Sequence, residues 1–381
     1  MDFLGFNHTD LRRRTSTPVT DGIGRCYHPN QFSGADTFQI AFATNNHCMT
    51  TTILGLDLGG ANVKAATADG RAWNEPFALW KDPDGLAAVL GELLTRFPDA
   101  AHLAVTTTGE LCDCYETKRE GVNRILDAVE AVAGERTVAV WGTDGRFHSV
   151  SHARQHSLTV AAGNWHALAT FAGRHVPTHG GLLLDIGSTT SDVIPLEHGL
   201  PATMGLTDFD RLKHGELVYT GVRRTPLCAL SGERTAAEFF ATAHDVYLVL
   251  GLIAEDTTDT DTADGRGATV EYALARLARM LGGDRETIKD EVLIQFAVTL
   301  YQRQLGQIVR AVRQVRDGLD EELTRFIVSG SGEFLAKRAI KDALPDFAED
   351  RIVSLTADLG ERLSTCAPAY ALAVLAQERK Q

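Results

Sequence analysis

The chain has 381 residues, of which 44% are hydrophobic and 23% are charged, a composition typical of a globular protein with about two or three domains. Its net charge of −13 argues against non-specific binding to nucleic acid or to an anionic membrane. The sequence contains no apolar run of the roughly 18 residues that a membrane-spanning helix needs.

The amino-terminal stretch differs in character from the rest of the chain. Residues 1–48 are rich in Thr, Asn, Gly and His and show no sustained periodicity, and Met49 stands just before the first apolar run. We expect residues 1–48 to be a disordered leader, or to lie upstream of the natural start, so that their deletion leaves folding and activity intact. The six cysteines contain no C-x-x-C pair, which favours reduced thiols and a cytoplasmic location.

The segment 53–64 reads ILGLDLGGANVK and predicts a buried strand that enters a tight hairpin. The strand ends in Asp57, the pair Gly59-Gly60 forms the turn, and a second extended stretch begins near Asn62. Glycine lets the backbone N–H groups approach a phosphate, and a carboxylate at a strand end can hold Mg²⁺. The residues alone leave open a plain hairpin with a surface aspartate.

From residue 53 onward, strand and helix patterns alternate, which predicts an α/β fold with a mostly parallel sheet. We predict strands at 103–107, 137–141, 325–329 and 351–355. We predict helices at 85–97, 118–133, 161–172, 235–252 and from Pro368 to Leu375, and one or two helices over 284–316. Ligands of such sheets bind outside the carboxyl ends of the strands. Asp57, Glu110, Asp113 and Asp185 all fall at or just after such ends.

A second segment repeats the first pattern. Residues 182–192 read LLLDIGSTTSD, with Asp185, Gly187 and Asp192 following an apolar strand. The two segments resemble the paired phosphate loops of the actin/Hsp70/sugar-kinase superfamily. The resemblance implies duplicated ribonuclease H-like domains around a central cleft, with a first domain at 49–178 and a second at 179–376. It also implies that the carboxyl-terminal helix packs back on the first domain.

Two further loops carry charge. The stretch 211–227 gathers Arg211, Lys213, Arg223 and Arg224, and Gly221 and Pro226 place the arginines on a loop. Arginine offers a fork of donors for phosphate oxygens, although a solvated charge cluster has the same composition. The acidic stretch 255–266 is either a flexible loop or a Mg²⁺-diphosphate lid.

After the predicted strand 325–329, the turn Gly330-Ser331-Gly332 opens a helix. A glycine-rich turn at a helix amino terminus is an anion or nucleotide site, and this one resembles the adenosine motif of the same superfamily.

Long motifs identify a closer relationship. GLDLGGANVKAA, TTGELCDCYETKREGV, LLLDIGSTTSDVIPL, HGELVYTGVRRTPLCAL, DTADGR and FIVSGSGEFL resemble the hydantoinase/oxoprolinase-related family of tetrahydromethanopterin-linked C1-transfer proteins, over roughly residues 50–376. The resemblance implies a cytoplasmic transferase of methanofuran or methylofuran biosynthesis. It would condense an aminomethylfuran-methanol diphosphate with the phenol of a γ-glutamyl tyramine or tyrosine and release diphosphate, with Mg²⁺ as cofactor and without nucleic acid or membrane partners.

The resemblance also implies roles for individual residues. The base for the phenol is assigned by placement at a strand end and not by the resemblance: it would be Glu110 or Asp113, although a helix-capping carboxylate fits the same position equally well. Arg223 and Arg224 would neutralise the diphosphate, and Arg266 belongs to the lid. Phosphate-binding residues would be Asp57, Gly59, Gly60, Asn62, Lys64, Gly187, Ser188, Thr189, Thr190, Gly330, Ser331 and Gly332. Metal ligands would be Asp57, Asp185, Asp192, Asp261 and Asp264.

Two other functions fit the same motifs. An ATP-using kinase or hydantoinase/oxoprolinase-type amidohydrolase would explain the turn at 330–332, and ATP would then be a cofactor. A non-catalytic nucleotide-binding subunit of the C1 pathway would need neither base nor metal. The sequence predicts no oligomeric state.

Overall fold

The computed structural model describes residues 52–232 and 234–379. The expected leader at 1–48 and Met49 lie outside the described residues. No helix in the described part of the chain is long and apolar enough to cross a bilayer.

The first sheet has six strands in the order β3-β2-β1-β4-β5-β6. Their bounds are β1 Thr52–Gly59, β2 Asn62–Thr67, β3 Ala72–Pro76, β4 Ala100–Thr108, β5 Thr137–Trp141 and β6 Phe147–His148. Strands β1, β4 and β5 run parallel, whereas the hairpin partners β2 and β3 run antiparallel. Because the parallel strands end at one edge of the sheet, the β1 turn and the segment after β4 lie together.

The second sheet repeats this plan. Its bounds are β7 Gly180–Ile186, β8 Ser191–Glu197, β9 Leu200–Pro201, β10 Leu217–Val218, β11 Leu323–Ser329 and β12 Ile352–Ser354. The order is β10-β8-β7-β11-β12, with β9 beside β8. Strands β7, β11 and β12 run parallel, and β8 and β10 run antiparallel to their neighbours as β2 and β3 do. The shared order and directions confirm the predicted duplicated α/β architecture.

Helices cover both sheets. Their bounds are α1 Leu86–Thr95, α2 Lys118–Ala133, α3 Val150–Gln155, α4 Ser157–Val160, α5 Asn164–Ala172, α6 Asp208–His214, α7 Leu227–Ser231, α8 Ala243–Val249, α9 Val270–Met280, α10 Asp290–Asp317, α11 Glu333–Ala343, α12 Leu355–Leu359, α13 Glu361–Thr365 and α14 Ala367–Glu378. Alternate residues of β1 and β7 point to opposite faces, so each sheet has two apolar faces to bury.

The outer face of the first sheet packs on α1 and α2, and that of the second on α10 and α11. The inner faces share α5 and α14: Leu372 packs with Ile53 of β1, and Ala371 packs with Leu183 of β7. Helix α14 therefore lies in the apolar layer that joins the two sheets.

The structure corrects some predicted elements. The predicted helix at 235–252 is wrong, because only Ala243–Val249 is helical. Arg234 has a positive φ, and Thr242 and Asp245 form a capping box that starts the helix at residue 243. Helix α9 was not predicted. Arg211, which was predicted to lie on a loop with the other arginines, lies on helix α6.

Candidate active site

The first acidic corner is Asp57 on β1. Its cross-strand neighbour is Lys64 on β2, and its Oδ1 accepts a hydrogen bond of 3.0 Å from the Thr108 hydroxyl at the end of β4. Burial raises the pKa of Asp57, while Lys64 and Thr108 oppose that rise. A buried carboxylate with one neutral hydrogen-bond partner and one nearby ammonium group can accept a further cation.

The second acidic corner is Asp185 on β7, opposite Asp192 of β8. Burial, followed by repulsion from Asp192, raises the pKa of Asp185 to about 7. Lys64 and Asp57 of the first sheet also act on this carboxyl group through their charges. The two corners therefore share one electrostatic environment, as the duplicated motif predicts.

The first turn, Gly59-Gly60, is closely surrounded. A Cβ on Gly60 would lie 2.7 Å from the Cys112 sulfur, and one on Gly109 would lie 3.2 Å from the Gly60 nitrogen. The carbonyl oxygen of Gly60 accepts a hydrogen bond from the backbone N–H of Leu79. Asn62 begins β2 just beyond this turn. The turn is thus packed against the segment that follows β4.

The second loop and the arginine loop form a single unit. The backbone N–H groups of Arg223 and Arg224 both donate to the carbonyl oxygen of Ser188, at 3.0 and 2.8 Å, and Val222 donates to Gly187. Within the loop, Gly187 donates to the carbonyl oxygen of Thr190, which closes a turn around Thr189. The sequence predicted both loops but not their contact.

The third loop reaches the second acidic corner. Gly330 has a φ of +84°, and a Cβ there would lie 2.7 Å from Asp185 Oδ1. The N–H of Gly332 donates to the carbonyl oxygen of Ile186 at 2.9 Å, and Ser331 lies between the two glycines. Only glycine permits this combination of conformation and close approach, so the third predicted phosphate loop lies against the second.

The two adjacent arginines differ in their surroundings. The Arg223 guanidinium contacts the carboxylates of Asp259 at 2.5 Å and Asp261 at 3.1 Å. Arg224 is exposed and stacks 4.8 Å above the ring of Trp80 from the first half of the chain. Among the described residues, Arg224 makes no ion pair, so it is the cation of this loop that is open to an anionic ligand.

Three of the predicted metal ligands already pair with arginines. Asp192 contacts Arg211 at 2.5 Å, and Asp261 contacts Arg223. Asp264 contacts Arg266, Arg276 and Arg279 at 2.6, 2.9 and 3.3 Å. Burial acts to raise the pKa of Asp264, but hydrogen bonds from Arg266 and Arg276 hold that pKa well below its usual range.

The five predicted metal ligands therefore do not form one centre. Within 52–232 and 234–379, no group of three or more His, Cys, Asp or Glu side chains could hold a metal ion. In the part of the chain that the structure describes, Asp57 and Asp185 are the two without an arginine partner. Mg²⁺ commonly binds one or two carboxylates together with substrate phosphates. Their role as metal ligands stays a prediction.

The candidate bases differ in burial. Asp113 is exposed, whereas Glu110, two residues beyond β4, is 1% exposed. Burial raises the pKa of Glu110 to about 7, and the Lys118 ammonium group, 3.6 Å from Oε1, opposes that rise. The Oε2 atom has no hydrogen-bond partner within the described structure. Glu110 is therefore ionised in part near neutral pH and has an oxygen free to take a proton.

Sequence reasoning missed several residues at this site. Lys118 contacts both Glu110 and Asp208, and Arg211 joins Asp208 to Asp192. Trp80 and Asp259 lie against the arginine loop. For Lys118 the sequence offered one signal: Thr117 caps α2, which places Lys118 at the start of that helix, just after the segment that holds Glu110. The other contacts join distant parts of the chain.

The sequence profile of the hydantoinase/oxoprolinase family matches residues 102–379. The chain belongs to the hydantoinase/oxoprolinase family. Within it, the chain is 35% identical over 343 residues to the (4-{4-[2-(gamma-L-glutamylamino)ethyl]phenoxymethyl}furan-2-yl)methanamine synthase of Methanocaldococcus jannaschii, covering 87% of this chain and 99% of that protein. A synthase of the same name from Methanococcus vannielii is 32% identical over 202 residues, covering 51% of this chain and 89% of that protein.

Among solved structures, the archaeal actin homologue Ta0583 is similar to this hydantoinase/oxoprolinase family member, with a TM-score of 0.42 and 13% identity. The match covers 86% of this chain and 99% of that one. A likeness at this level carries no information about activity.

Proposed function

We propose that the protein is a transferase of methanofuran or methylofuran biosynthesis. It joins an aminomethylfuran-methanol diphosphate to the phenol oxygen of a γ-glutamyl tyramine or tyrosine and releases diphosphate. The observation that carries this proposal is the 35% identity over 99% of the M. jannaschii protein, whose name describes the aryl ether that such a reaction forms.

In the proposed reaction, Glu110 takes the proton of the phenol as the oxygen attacks the furan CH₂ group. The bond between that carbon and the diphosphate oxygen breaks, and its electron pair leaves with the diphosphate. The furan ring stabilises positive charge on the CH₂ group, so the step needs no covalent enzyme intermediate. The buried, partly ionised Glu110 carboxyl group suits this role because its pKa lies close to neutral pH.

The leaving group needs cationic partners. Arg224 has no carboxylate partner among the described residues, and Lys64 lies opposite Asp57. The turns 59–60 and 187–190 would bind the phosphates through backbone N–H groups. Asp57 and Asp185 would hold Mg²⁺, which when bound would neutralise the growing charge of the diphosphate. The donor set fits because burial raises the pKa of both carboxyl groups, which a bound cation would offset, and neither has an arginine partner among residues 52–232 and 234–379.

The test is a reaction of the purified chain with synthetic aminomethylfuran-methanol diphosphate and γ-glutamyltyramine, with MgCl₂ or EDTA. Mass spectrometry should find the ether, and a coupled assay should find one diphosphate per ether, in the Mg²⁺ sample only. Glu110→Gln should lose most of the rate, whereas Asp113→Asn, which alters an exposed carboxylate three residues away, should keep it. A second reaction uses the γ-glutamyl tyrosine acceptor, and absence of the ether in both reactions contradicts the proposal.

The ATP-dependent alternative rests on the turn at 330–332 beside Asp185. A parallel incubation with ATP and Mg²⁺ separates the two functions. Substrate-stimulated release of ADP would favour a kinase or amidohydrolase and would exclude the proposed transferase function.

A further inference from the structure

An ion-pair chain runs from the Glu110 side of the candidate site to the second sheet. Lys118, the first residue of α2, lies 3.6 Å from Glu110 Oε1 and 3.4 Å from Asp208 Oδ2. Asp208 opens α6 and lies 3.8 Å from Arg211, which contacts Asp192 of β8. A single ammonium group is thus shared between a carboxylate of the first half of the chain and one of the second.

Glu110 and Asp208 do not depend equally on the Lys118 ammonium group. Glu110 is 1% exposed, and its Oε2 has no hydrogen-bond partner among the described residues. Asp208 keeps 25% of its side chain exposed and has Arg211 as a second cation. A buried carboxylate with one cationic partner depends on it far more than a half-buried carboxylate with two.

We propose that Lys118 is a positioning residue that keeps the buried Glu110 carboxylate ionised, and that Asp208 draws the same ammonium group away from it. The ionised fraction of Glu110 near neutral pH is then set by a contact between the two halves of the chain. This inference rests on the proposed function only for the role of Glu110 as a base; the electrostatic coupling stands apart from it.

The coupling makes opposite predictions for two substitutions. Lys118→Met removes the cation that lies against Glu110 in the described structure and should raise the Glu110 pKa by about one unit. Asp208→Asn removes a repelling charge and releases Lys118 toward Glu110, so it should lower that pKa. The Cys112 thiol on the same loop, whose pKa Glu110 helps to raise, and the backbone N–H groups that act on Glu110 are left intact in both variants. A general loosening of the site would move both values in one direction.

The decisive measurement is a ¹³C NMR titration of the full chain labelled at the glutamate carboxyl carbon, with Glu110→Gln to assign the resonance. We expect the Glu110 pKa to rise in Lys118→Met, to fall in Asp208→Asn and to stay near the wild-type value in Lys118→Arg. Lys337→Met is a matched control that should leave the Glu110 pKa unchanged, because Lys337 lies 3.5 Å from a different buried glutamate, Glu333. Equal pKa values in all four variants, or shifts of the same sign in the first two, overturn the proposal.

The pH profile of ether formation gives the second readout. The acidic limb of kcat should move up by about one pH unit in Lys118→Met, which is about a tenfold loss of rate at pH 6, and should move down in Asp208→Asn. If NMR shows the opposite shifts but no ether forms, the coupling stands and the proposed function fails. If ether forms and NMR shows no shifts, the coupling fails and the proposed function stands.

Discussion

At the scale of single residues, Asp185 combines a cost in stability with a predicted role as a metal ligand, and pH separates the two. Burial and repulsion from Asp192 raise its pKa to about 7, whereas in the unfolded chain the carboxyl group titrates near 4. Between these values the folded state binds more protons than the unfolded state, so this residue lowers the free energy of unfolding as pH rises from about 4 to about 7.

We therefore expect Asp185→Asn to be more stable than the wild type at about pH 8, by roughly 2 kcal/mol, and nearly equal to it at about pH 4. Urea unfolding at both pH values, without Mg²⁺ or substrate, measures the difference. The same variant should lose at least about 100-fold in ether formation. A variant that is less stable than the wild type at pH 8 would show that the carboxylate is well compensated in the folded state.

The adjacent arginines allow a direct comparison. Arg223 already donates to Asp259 and Asp261, whereas Arg224 stacks on Trp80 and makes no ion pair within the described residues. We expect Arg224→Ala to raise the KM for the diphosphate substrate about 10- to 100-fold, because charge-assisted contacts to phosphate are worth about 1.5–3 kcal/mol. Arg223→Ala should change KM less and instead increase hydrogen exchange in residues 256–266. Steady-state kinetics and exchange mass spectrometry distinguish them, and the reverse pattern would assign the diphosphate to Arg223.

At the scale of elements, the sequence predicted most strands and several helices because their apolar periods match their burial. Strands β1 and β7 are near-continuous apolar runs that are buried on both faces, and α2 keeps one apolar face on the core. The region 235–242 misled the prediction because its apolar residues continue into those of α8, whereas the capping box of Thr242 and Asp245 starts the helix only at residue 243. Apolar content alone does not determine where a helix begins.

The contact between the second loop and the arginine loop leads to a prediction at the same scale. A Cβ on Gly221 would lie 2.5 Å from the carbonyl oxygen of Gly187 and 2.6 Å from the carbonyl carbon of Ser188, both backbone atoms. Gly221→Ala should therefore separate the loops and cost about 2–3 kcal/mol of unfolding free energy, with loss of activity. Gly306→Ala, inside α10 with its nearest neighbour at 3.6 Å, is the control and should gain about 0.5–1 kcal/mol. Equal stabilities in urea unfolding would mean that the two loops can move apart freely.

At the scale of the whole molecule, sequence reasoning recovered the duplication but not the contacts between the halves. The repeated Asp-x-Gly corners predicted two similar sheets, and the shared strand order confirms them. In contrast, Lys118 and Asp208 are 90 positions apart, and no local pattern pairs them. Such pairs are set by how the two halves pack, which depends on the inner helices α5 and α14 rather than on either motif.

Helix α14 makes this dependence testable. It packs on β1 and also shares an apolar cluster with β7 and β11 of the second sheet. Its approach to β1 requires Gly55, because a Cβ there would lie 1.9 Å from the carbonyl oxygen of Ala369 and 3.0 Å from the nitrogen of Ala373. Gly55→Ala must displace helix backbone, so we expect a loss of more than about 3 kcal/mol, among the largest that a single methyl group produces.

Because α14 contacts both sheets, its displacement should destabilise both together. Unfolding of Gly55→Ala in urea should stay a single transition when followed by far-ultraviolet circular dichroism and by tryptophan fluorescence, with its midpoint shifted to lower urea. Gly91→Ala on α1, where the nearest atom is Val132 Cγ1 at 3.9 Å, should keep or raise the wild-type midpoint. If Gly55→Ala instead splits the curve into two transitions, the sheets are independently stable, and the cross-half contact between Lys118 and Asp208 would be held by the side chains alone.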